Sequence, residues 1–406
     1  MKKVLLITYA FSPQSTPESI LSAKLFANIK QIKTDVVTIE QPIPGTIDLD
    51  PSLENYIKEN FNKIYRCKLS NFFNLISYFN LKRLFPFPDY FSLLNNQIYK
   101  FIISNVNIND YDHIITWSQS HSIHLVGLRL KKNFNLKNWI TYFSDPWSDN
   151  PFFNKSYFGF EKFFNLKNEK NVFYESEKII CTSEETKELM GNKYSTNIKK
   201  KIFVIPHCFD KKLYLEERNK LEENHIFDDK LKFRYIGKFY GKRFPKVLID
   251  ALKIIEKKKN HIFKKISFEV YGSQNFLVMA KILFYRKYIK SYGPLSYSKS
   301  LRLMQNSDFL LVIDAPFKES VFFPSKLVDY MGSNKTVIGI TPAGTARNII
   351  EQMGGHVFSH NDPKLLADQI INLIENKSSL DSNNFDFINK FNSDNVSNRF
   401  FKVLEL

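Results

Sequence analysis

Short apolar runs alternate with helix-like patterns along most of the chain, and this alternation predicts a parallel sheet flanked by helices. The first run, residues 3–8, precedes Thr16-Pro17-Glu18, where a capping side chain, a proline and an acid favour a helix start. Apolar side chains then recur at helical spacing. Further strands are predicted in this half at residues 35–39, 113–116, 139–143, 178–182 and 202–205.

A second series of patterns begins after about residue 210, where the charged segment 211–232 is predicted to be a linker. Its strands are predicted at residues 232–236, 267–271, 309–313, 336–340 and 356–358. The predicted fold class is therefore α/β with two Rossmann-like domains that face each other across a cleft, where such folds bind ligands. The predicted domains are residues 1–209, with a C-terminal helix at about 385–406 packing back on them, and residues 210–384.

Composition and charge narrow the class of protein. The 406 residues are 43% hydrophobic, which is enough for two buried cores. No run of about 18 apolar residues predicts a membrane span, and the short apolar run at the N-terminus fits a strand better than a signal peptide. Three widely separated cysteines suit a reducing compartment, so a cytoplasmic location is expected. The net charge of +17 predicts an anionic partner, which leaves nucleic acid, anionic lipid and anionic small molecules open.

One candidate site is a helix start in the second half. Residues 322–331 follow a predicted strand and open a helix, whose first turn offers free N–H groups that bind phosphate. Lys326 lies in that turn, where a cation is unfavourable unless an anion lies beside it. Asp329, one turn further, is placed to accept hydrogen bonds from sugar hydroxyls. The alternative is a surface lysine and a solvated aspartate.

A second candidate is the basic loop after the strand at 232–236. Gly237 lets the backbone approach a ligand closely, and Lys238 and Arg243 follow it. A diphosphate between Arg243 and Lys326 would be held by charge and by the fork geometry of the guanidinium group. The alternative is a basic loop that is only solvated.

In the first half, residues 9–19 replace the glycine-rich turn of a dinucleotide-binding domain, and Ser15 in this loop is assigned to substrate binding. The chain has neither G-x-G-x-x-G after the first strand nor a P-loop motif, which disfavours a dehydrogenase or a P-loop enzyme. His121, His124 and Asp145 follow predicted strands. They are candidates for orienting an acceptor hydroxyl or assisting proton transfer, and structural histidines are the alternative.

Two Asp-x-Asp sequences have the spacing of some metal sites. They are Asp48-Leu49-Asp50, in a loop that contains proline and glycine, and Asp110-Tyr111-Asp112, which precedes a strand. Both are better explained as turns and solvated ends. No metal or other cofactor is therefore expected.

A series of short motifs occurs in a fixed order along the chain. It includes residues 115–125, Asp145-Pro146-Trp147 and residues 235–243, 292–295 and 324–331. In this order the motifs resemble those of retaining GT-B glycosyltransferases (family 4-like, group 1) of bacterial cell-surface polysaccharide pathways. The resemblance extends from residue 1 to about residue 375.

The resemblance implies a nucleotide-sugar donor bound mainly by the C-terminal domain and an acceptor bound mainly by the N-terminal one. His124, or less closely His121, matches the family's loop histidine, and Asp329 matches an acid that holds the ribose. Val321 replaces the first acid of the family's Glu-x7-Glu pair, and Glu319 is the nearest acid. The other residues that match donor-binding motifs are Gly237, Lys238, Arg243, Pro294, Leu295, Ser325 and Lys326.

Two further functions fit the same motifs. A nucleotide-sugar 2-epimerase-like enzyme would need no acceptor, and a catalytically silent GT-B protein would bind a glycan or act as a scaffold. Val321 favours the silent protein, whereas the cations Arg243 and Lys326 favour an active enzyme. A nucleic-acid binder is disfavoured because no recognised module is visible.

Residues 61–103 interleave Phe and Tyr with Lys and Arg. A lipid-linked acceptor at the anionic inner face of the cytoplasmic membrane would suit such a stretch, which predicts peripheral membrane association. The alternative is a set of core aromatic side chains beside a solvated basic face.

Overall fold

A computed structural model of the chain describes residues 1–40, 49–79, 88–150, 160–218, 230–239, 243–375 and 383–406. The chain divides into two compact units. Unit 1 comprises residues 1–208 and 393–406, and unit 2 comprises residues 209–392.

Unit 1 contains a seven-stranded parallel sheet with the order β3-β2-β1-β4-β5-β6-β7. Its strands are β1 (Lys2–Ile7), β2 (Ile32–Ile39), β3 (Lys63–Cys67), β4 (His113–Ser118), β5 (Trp139–Phe143), β6 (Lys178–Cys181) and β7 (Ile202–Val204). Its helices are α1 (Pro17–Ala27), α2 (Glu54–Asn60), α3 (Asn71–Tyr78), α4 (Asn95–Asn105), α5 (Ile123–Phe134), α6 (Phe160–Glu175), α7 (Glu184–Gly191), α8 (Thr196–Lys200) and α18 (Ser393–Glu405).

The central strands of unit 1 are buried on both faces, so their sequences are nearly continuous apolar runs. In β1 the side chains of Leu5 and Ile7 belong to one core cluster with Trp139 and Phe143. Strand β3 is missing from the sequence-based prediction. It lies at the sheet edge and most of its side chains remain partly exposed, so it lacks the apolar pattern of the other strands.

The C-terminal helix α18 packs against α1 within unit 1. Phe400 meets Phe26 edge to face with ring centroids 5.5 Å apart, and the Ser397 hydroxyl donates a 3.1 Å hydrogen bond to the Leu25 carbonyl. The chain therefore begins and ends in the same unit.

Unit 2 contains a six-stranded parallel sheet with the order β10-β9-β8-β11-β13-β15 and a small sheet of β12 and β14. The strands are β8 (Leu231–Ile236), β9 (Ile266–Tyr271), β10 (Lys290–Tyr292), β11 (Phe309–Ile313), β12 (Glu319–Ser320), β13 (Thr336–Ile340), β14 (Ala343–Gly344) and β15 (His356–Phe358). The helices are α9 (Lys211–Arg218), α10 (Lys246–Lys258), α11 (Asn260–Phe263), α12 (Phe276–Phe284), α13 (Tyr297–Gln305), α14 (Ser325–Gly332), α15 (Thr345–Gln352), α16 (Pro363–Glu375) and α17 (Phe385–Asn389).

The predicted linker at 211–232 is wrong for its first part, which forms α9. Leu213 and Tyr214 are buried, and Glu217 accepts a 2.8 Å hydrogen bond from Arg302 of α13. A single run of three apolar residues, Leu213 to Leu215, shows no helical period, so α9 is recognised only from its packing against α13.

Both sheets reverse their strand order beside the first strand of the unit, between β1 and β4 and between β8 and β11. Loops at the carboxyl ends of these strand pairs are the usual ligand sites of doubly wound folds. The prediction of two Rossmann-like parallel sheets is thus confirmed. No helix in the described part of the chain has the length and hydropathy needed to cross a membrane.

Candidate donor and acceptor sites

A cluster of charged side chains lies at the carboxyl ends of β8 and β11 in unit 2. Asp314 follows β11 and is buried, and its Oδ1 lies 3.6 Å from Nη2 of Arg243. Its carbonyl oxygen accepts a 2.9 Å hydrogen bond from Nε2 of His360. Oδ2 of Asp314 accepts no hydrogen bond from any residue that the structure describes. Burial raises the pKa of Asp314, while Arg243, Lys326 and His360 lower it.

Lys326 completes this cluster from the first turn of α14. Its ammonium nitrogen lies 3.8 Å from the centroid of the Tyr235 ring. Burial and the charge of Arg243 lower the pKa of Lys326 to about 7, against the opposing effect of Asp314. An anion bound here would favour the charged form of Lys326.

The start of α14 is also suited to an anion. It follows Pro324, and among the described residues no side chain caps it. Ser325 and Lys326 are its first two residues, so their N–H groups lie at the positive end of the helix dipole. The helix is held to β8 by the buried Tyr330, whose hydroxyl accepts a 3.1 Å hydrogen bond from the Ile236 amide.

The loop after β8 requires glycine at residue 237. Gly237 has φ +145°, and a Cβ there would lie 2.8 Å from the ammonium nitrogen of Lys326. Gly272, after β9, allows an equally close approach, since its Cβ would lie 2.6 Å from the Gly237 carbonyl oxygen. Gln274 supports the loop by donating a 3.0 Å hydrogen bond to that oxygen and accepting a 2.8 Å one from the Phe239 amide. Lys238, which lies between Gly237 and Phe239 in the sequence, is exposed.

Asp329 is buried in α14 rather than open to solvent. Its Oδ1 accepts a 2.9 Å hydrogen bond from the Tyr297 hydroxyl, and its carbonyl oxygen accepts a 2.6 Å one from Tyr214. Tyr297 begins α13, directly after the exposed Pro294 and half-buried Leu295. The carboxylate thus anchors the loop that carries those two residues, and its contact with a ribose stays a prediction.

A cavity of about 330 Å³ lies in the same unit, at the carboxyl ends of β11, β13 and β15. His360 lines it and links it to the Asp314 carbonyl. Ala343, which also lines it, pairs in register with the exposed Glu319 of the small sheet. Glu319 therefore lies beside the cavity. Among the described residues, no hydrogen bond or ion pair joins its side chain to Arg243, Asp314 or Lys326.

In unit 1 the carboxyl ends of β1, β4 and β5 gather around Glu18 of α1. Its Oε2 accepts 2.7 Å hydrogen bonds from Nε1 of Trp117 and from the Ser144 hydroxyl. Burial is the main cause that raises the pKa of Glu18 to about 8, and the nearby charge of Asp145 adds to it. Asp145 is half-buried and accepts a hydrogen bond from the Gln119 side chain. Ser15, in the loop before α1, is exposed.

The sequence is similar to those of known glycosyltransferases. Residues 216–386, most of unit 2, match the family profile of glycosyl transferases group 1. An uncharacterized glycosyltransferase of Methanocaldococcus jannaschii is 26% identical over 224 residues, which are 53% of this chain and 56% of the archaeal protein. The match thus spans about half the length of that relative.

Solved structures are similar over the whole chain. Anabaena HepE in complex with UDP and glucose aligns over 100% of both chains with a TM-score of 0.70 and 14% identity. Sucrose-phosphate synthase from Thermosynechococcus elongatus aligns over 100% of this chain and 98% of its own, with a TM-score of 0.70 and 13% identity. The fold is that of the GT-B glycosyltransferases.

The structure places His124 and His121 in the core of unit 1, and a catalytic role of His124 stays a prediction. The His124 ring is fully buried, packs 4.2 Å from the Phe143 ring centroid and shares a 2.8 Å hydrogen bond with Thr116. His121 is also buried, stacked beside Trp147 at 5.5 Å. Burial lowers the pKa of His121 to about 3, and burial and the neighbouring His121 lower the pKa of His124 well below its ordinary value. Both imidazoles are therefore buried and favour the neutral form, and the contact of either one with an acceptor stays a prediction.

Asp50 and Asp112, from the two Asp-x-Asp sequences, bond to backbone amides of unit 1. Asp50 accepts a 2.9 Å hydrogen bond from the Ser52 amide, and Asp48 lies outside the described residues. Asp112 accepts a 2.7 Å hydrogen bond from the Lys3 amide at the amino ends of the strands. In the ranges that the structure describes, no three His, Cys, Asp or Glu side chains are grouped to hold a metal.

The structure adds three residues to the candidate sites: Glu18, Gln274 and Asp314. In the sequence Glu18 is only an acid that favours a helix start, and Asp314 is a single aspartate after a strand. The only signal for either is its place after the first or fourth strand of a doubly wound unit, the two strands that flank the strand-order reversal. Gln274 has no sequence signal, because it acts through backbone groups of another loop.

Proposed function

We propose that the chain is a glycosyltransferase of cell-surface polysaccharide synthesis (capsule, O-antigen or exopolysaccharide). It would move a sugar from a nucleoside diphosphate sugar to a glycan or lipid-linked saccharide. The observation that carries the proposal is the pair of cations, Arg243 and Lys326, beside the uncapped start of α14 and the Gly237 loop. This combination suits a diphosphate, and solved GT-B relatives contain UDP or a UDP-sugar.

In this proposal the chemistry needs no metal. Breaking the bond between the anomeric carbon and the diphosphate oxygen leaves negative charge on the departing nucleoside diphosphate. Arg243, Lys326 and the N–H groups of α14 would stabilise that charge, because they are already in place and partly desolvated. Lys238, exposed at the loop, would add a further cation to the donor.

The acceptor hydroxyl would be oriented by unit 1. Its oxygen forms a bond to the anomeric carbon on the face from which the diphosphate leaves, so the configuration is retained, and its proton passes to the departing diphosphate. Asp145 and Glu18 are two unit-1 carboxyl groups that lie close together at the carboxyl end of the sheet. The protonated Glu18 and the carboxylate of Asp145 offer a donor and an acceptor to a sugar.

The central test replaces each cation. Arg243→Ala and Lys326→Ala should each lower kcat/KM for transfer by about 100-fold or more, because each removes one charge from the departing diphosphate. Lys258→Ala, which changes an exposed lysine paired with Asp368, is the control. Full activity in either cation variant, with an unchanged melting temperature, would reject the donor assignment.

The donor is found by thermal-shift measurements with UDP, GDP, CMP and dTDP sugars. The correct nucleotide should raise the melting temperature of the wild type by mass action and that of the Lys326→Ala variant much less. A donor that binds in this screen but is never transferred to any acceptor would point instead to a silent GT-B binding protein, which Val321 favours.

A second enzyme function has structural support. A putative UDP-N-acetylglucosamine 2-epimerase from Listeria monocytogenes aligns over 100% of this chain and 96% of its own, with a TM-score of 0.61 and 12% identity. An epimerase converts the donor without an acceptor. Incubation with the nucleotide sugar alone distinguishes the two, since a new epimer under those conditions would replace the transferase proposal.

We also propose that the acceptor is presented at an anionic membrane surface. Within the aromatic and basic stretch 61–103, helix α3 leaves Phe72, Leu75 and Tyr78 exposed while Phe73 and Ile76 are buried. These exposed side chains suit contact with lipid. Sedimentation of the Phe72→Asp/Tyr78→Asp variant with phosphatidylglycerol vesicles tests this, and undiminished binding would reject a role for α3.

A further inference from the structure

Helix α12 of unit 2 is apolar on both of its faces. Its inner face places Ile282 in the core and packs Val278 and Tyr285 against it. Its outer face exposes Phe276 by 85%, Leu277 by 72%, Leu283 by 61% and Phe284 by 80%. Such exposure is costly in water, and contiguous apolar patches of this kind mark contact surfaces.

The exposed side chains of α12 form one continuous face. Counted from Phe276, they fall at the first, second, eighth and ninth positions of the helix, and the exposed Ala280 lies between them. Residues at this spacing line a single side of an α-helix. Asn275 caps the helix by accepting a 2.9 Å hydrogen bond from the Val278 amide, so the face is held on regular structure.

The charge around α12 has one sign. Between Glu269 and Asp308 the sequence contains six lysines and arginines and no acidic residue. Lys281 and Arg286 are exposed on and just after the helix, and Lys290 follows on β10. Lys287 and Arg302 are exceptions among the six, since they pair with Glu256 and Glu217. Apolar side chains flanked by exposed cations match the interface of an anionic bilayer, where apolar groups enter the acyl boundary and cations meet headgroups.

We propose that α12 docks unit 2 on an anionic lipid surface, with Phe276, Leu277, Leu283 and Phe284 inserted at the interface. This inference concerns a surface of unit 2 and does not depend on the glycosyltransferase reaction. The docked helix would also lie close to the Gly237 loop of the same unit. The helix begins two residues after Gln274, which supports the Gly237 loop, so lipid contact would occur beside that loop.

The test uses the full chain and vesicles of phosphatidylcholine with and without phosphatidylglycerol. The wild type should sediment with the anionic vesicles, and Phe276→Asp/Phe284→Asp should lower the partition coefficient by about tenfold or more. The matched control is Leu215→Asp/Phe385→Asp, which changes two other exposed apolar residues of unit 2 and should bind like the wild type. Unchanged melting temperatures would show that each variant is folded, as expected for exposed positions.

A second variant reports insertion directly. Phe284→Trp should be quenched by brominated lipid in anionic vesicles, whereas the native Trp117, Trp139 and Trp147 are buried in unit 1 and give a constant background. Three results would overturn the proposal. They are equal vesicle binding by the Phe276→Asp/Phe284→Asp variant, loss of binding only in the α3 variant, and a wild-type dimer that this variant converts to a monomer without any lipid binding.

Discussion

At the carboxyl end of the unit-1 sheet Glu18 lies near Asp145, whereas unit 2 places the cations Arg243 and Lys326 at the same end of its sheet. The strand order around the two sites is alike, with each site beside the reversal of strand order. The backbone topology therefore determines where a ligand can bind, and the loop side chains determine which ligand suits each unit.

The two sites also differ in how a buried carboxyl group is stabilised. In unit 1 the pKa of Glu18 is raised to about 8, so the group is neutral at pH 7, and its contacts are the neutral donors Trp117 and Ser144. In unit 2 the buried Asp314 lies beside Arg243, and opposite charges share the cost of burial. The neutral Glu18 beside Asp145 suits sugar hydroxyls, whereas the cations around Asp314 suit a diphosphate that can replace this acid as their partner.

The strongest way to disturb the cationic site without removing a charge is Gly237→Ala. The new Cβ would lie 2.8 Å from the Lys326 nitrogen at a φ of +145°. We expect kcat/KM to fall by about 100-fold because Lys326 is displaced, with a loss of about 1–2 kcal/mol in the free energy of unfolding. Gly293→Ala is the stability control, because a Cβ there meets nothing within 4 Å. Equal transfer rates in wild type and Gly237→Ala would show that the glycine does not serve Lys326.

Asp314→Asn tests the role of the internal acid. Asp314 raises the pKa of Lys326 against burial and Arg243, so its removal should take that pKa below about 7 and leave less charged lysine at neutral pH. The donor KM should rise by about tenfold at neutral pH, with the alkaline fall of kcat/KM moved to lower pH. Asp308→Asn, at the amino end of β11, is the control. An unshifted pH profile would mean that Asp314 does not influence the cations.

Glu18→Gln tests the acidic site through stability. The pKa of Glu18 is about 8 in the folded chain against an ordinary value of 4.5. Ionisation of the unfolded state therefore destabilises the wild type progressively as pH rises from about 4.5 to 8. The glutamine variant has no group to ionise at this position and does not lose stability in this way. The difference in melting temperature between the variant and the wild type should therefore grow from about pH 4.5 to 8 and stay constant above pH 8. Glu54→Gln, which removes an exposed acid whose pKa is lowered by Lys58, should show no such growth.

The smallest expected effect is that of a chelator. If Arg243 and Lys326 supply the positive charge, EDTA should leave the transfer rate unchanged, and added Mg²⁺ or Mn²⁺ should not raise it. The measurement is the initial rate with each addition. Loss of activity in EDTA that Mn²⁺ restores would contradict the metal-independent proposal and would remove the contrast between the two units.

Much of the fold is visible in the sequence because buried parallel strands are apolar on both faces. The strands β5, β11 and β13 begin and end at the predicted residues. The edge strands β3 and β10 are not predicted from the sequence, because their partly exposed residues show no clear alternation of apolar and polar positions. Helix α9 escapes because its buried residues are few and its partner, α13, is distant in the chain.

The residues of the candidate site also differ in how far the sequence predicts them. Residues that act through backbone geometry or charge at a recognisable position, such as Gly237 and Lys326, can be proposed from sequence. Whether a histidine faces a ligand or the core depends on which side of its helix is buried. His124 follows a strand at a suitable place, yet it points into the core beside Phe143.

By itself the sequence determined the alternation of strands and helices, the basic charge and the order of the motifs, because these depend on local pattern and composition. Only the tertiary structure decided that Asp314 lies beside Arg243 and interacts with Lys326, that the pKa of Glu18 is raised to about 8, and that α12 exposes an apolar face. Desolvation and the distance between charges arise from contacts between segments far apart in the chain. A linear sequence carries the residues for these effects but not their proximity.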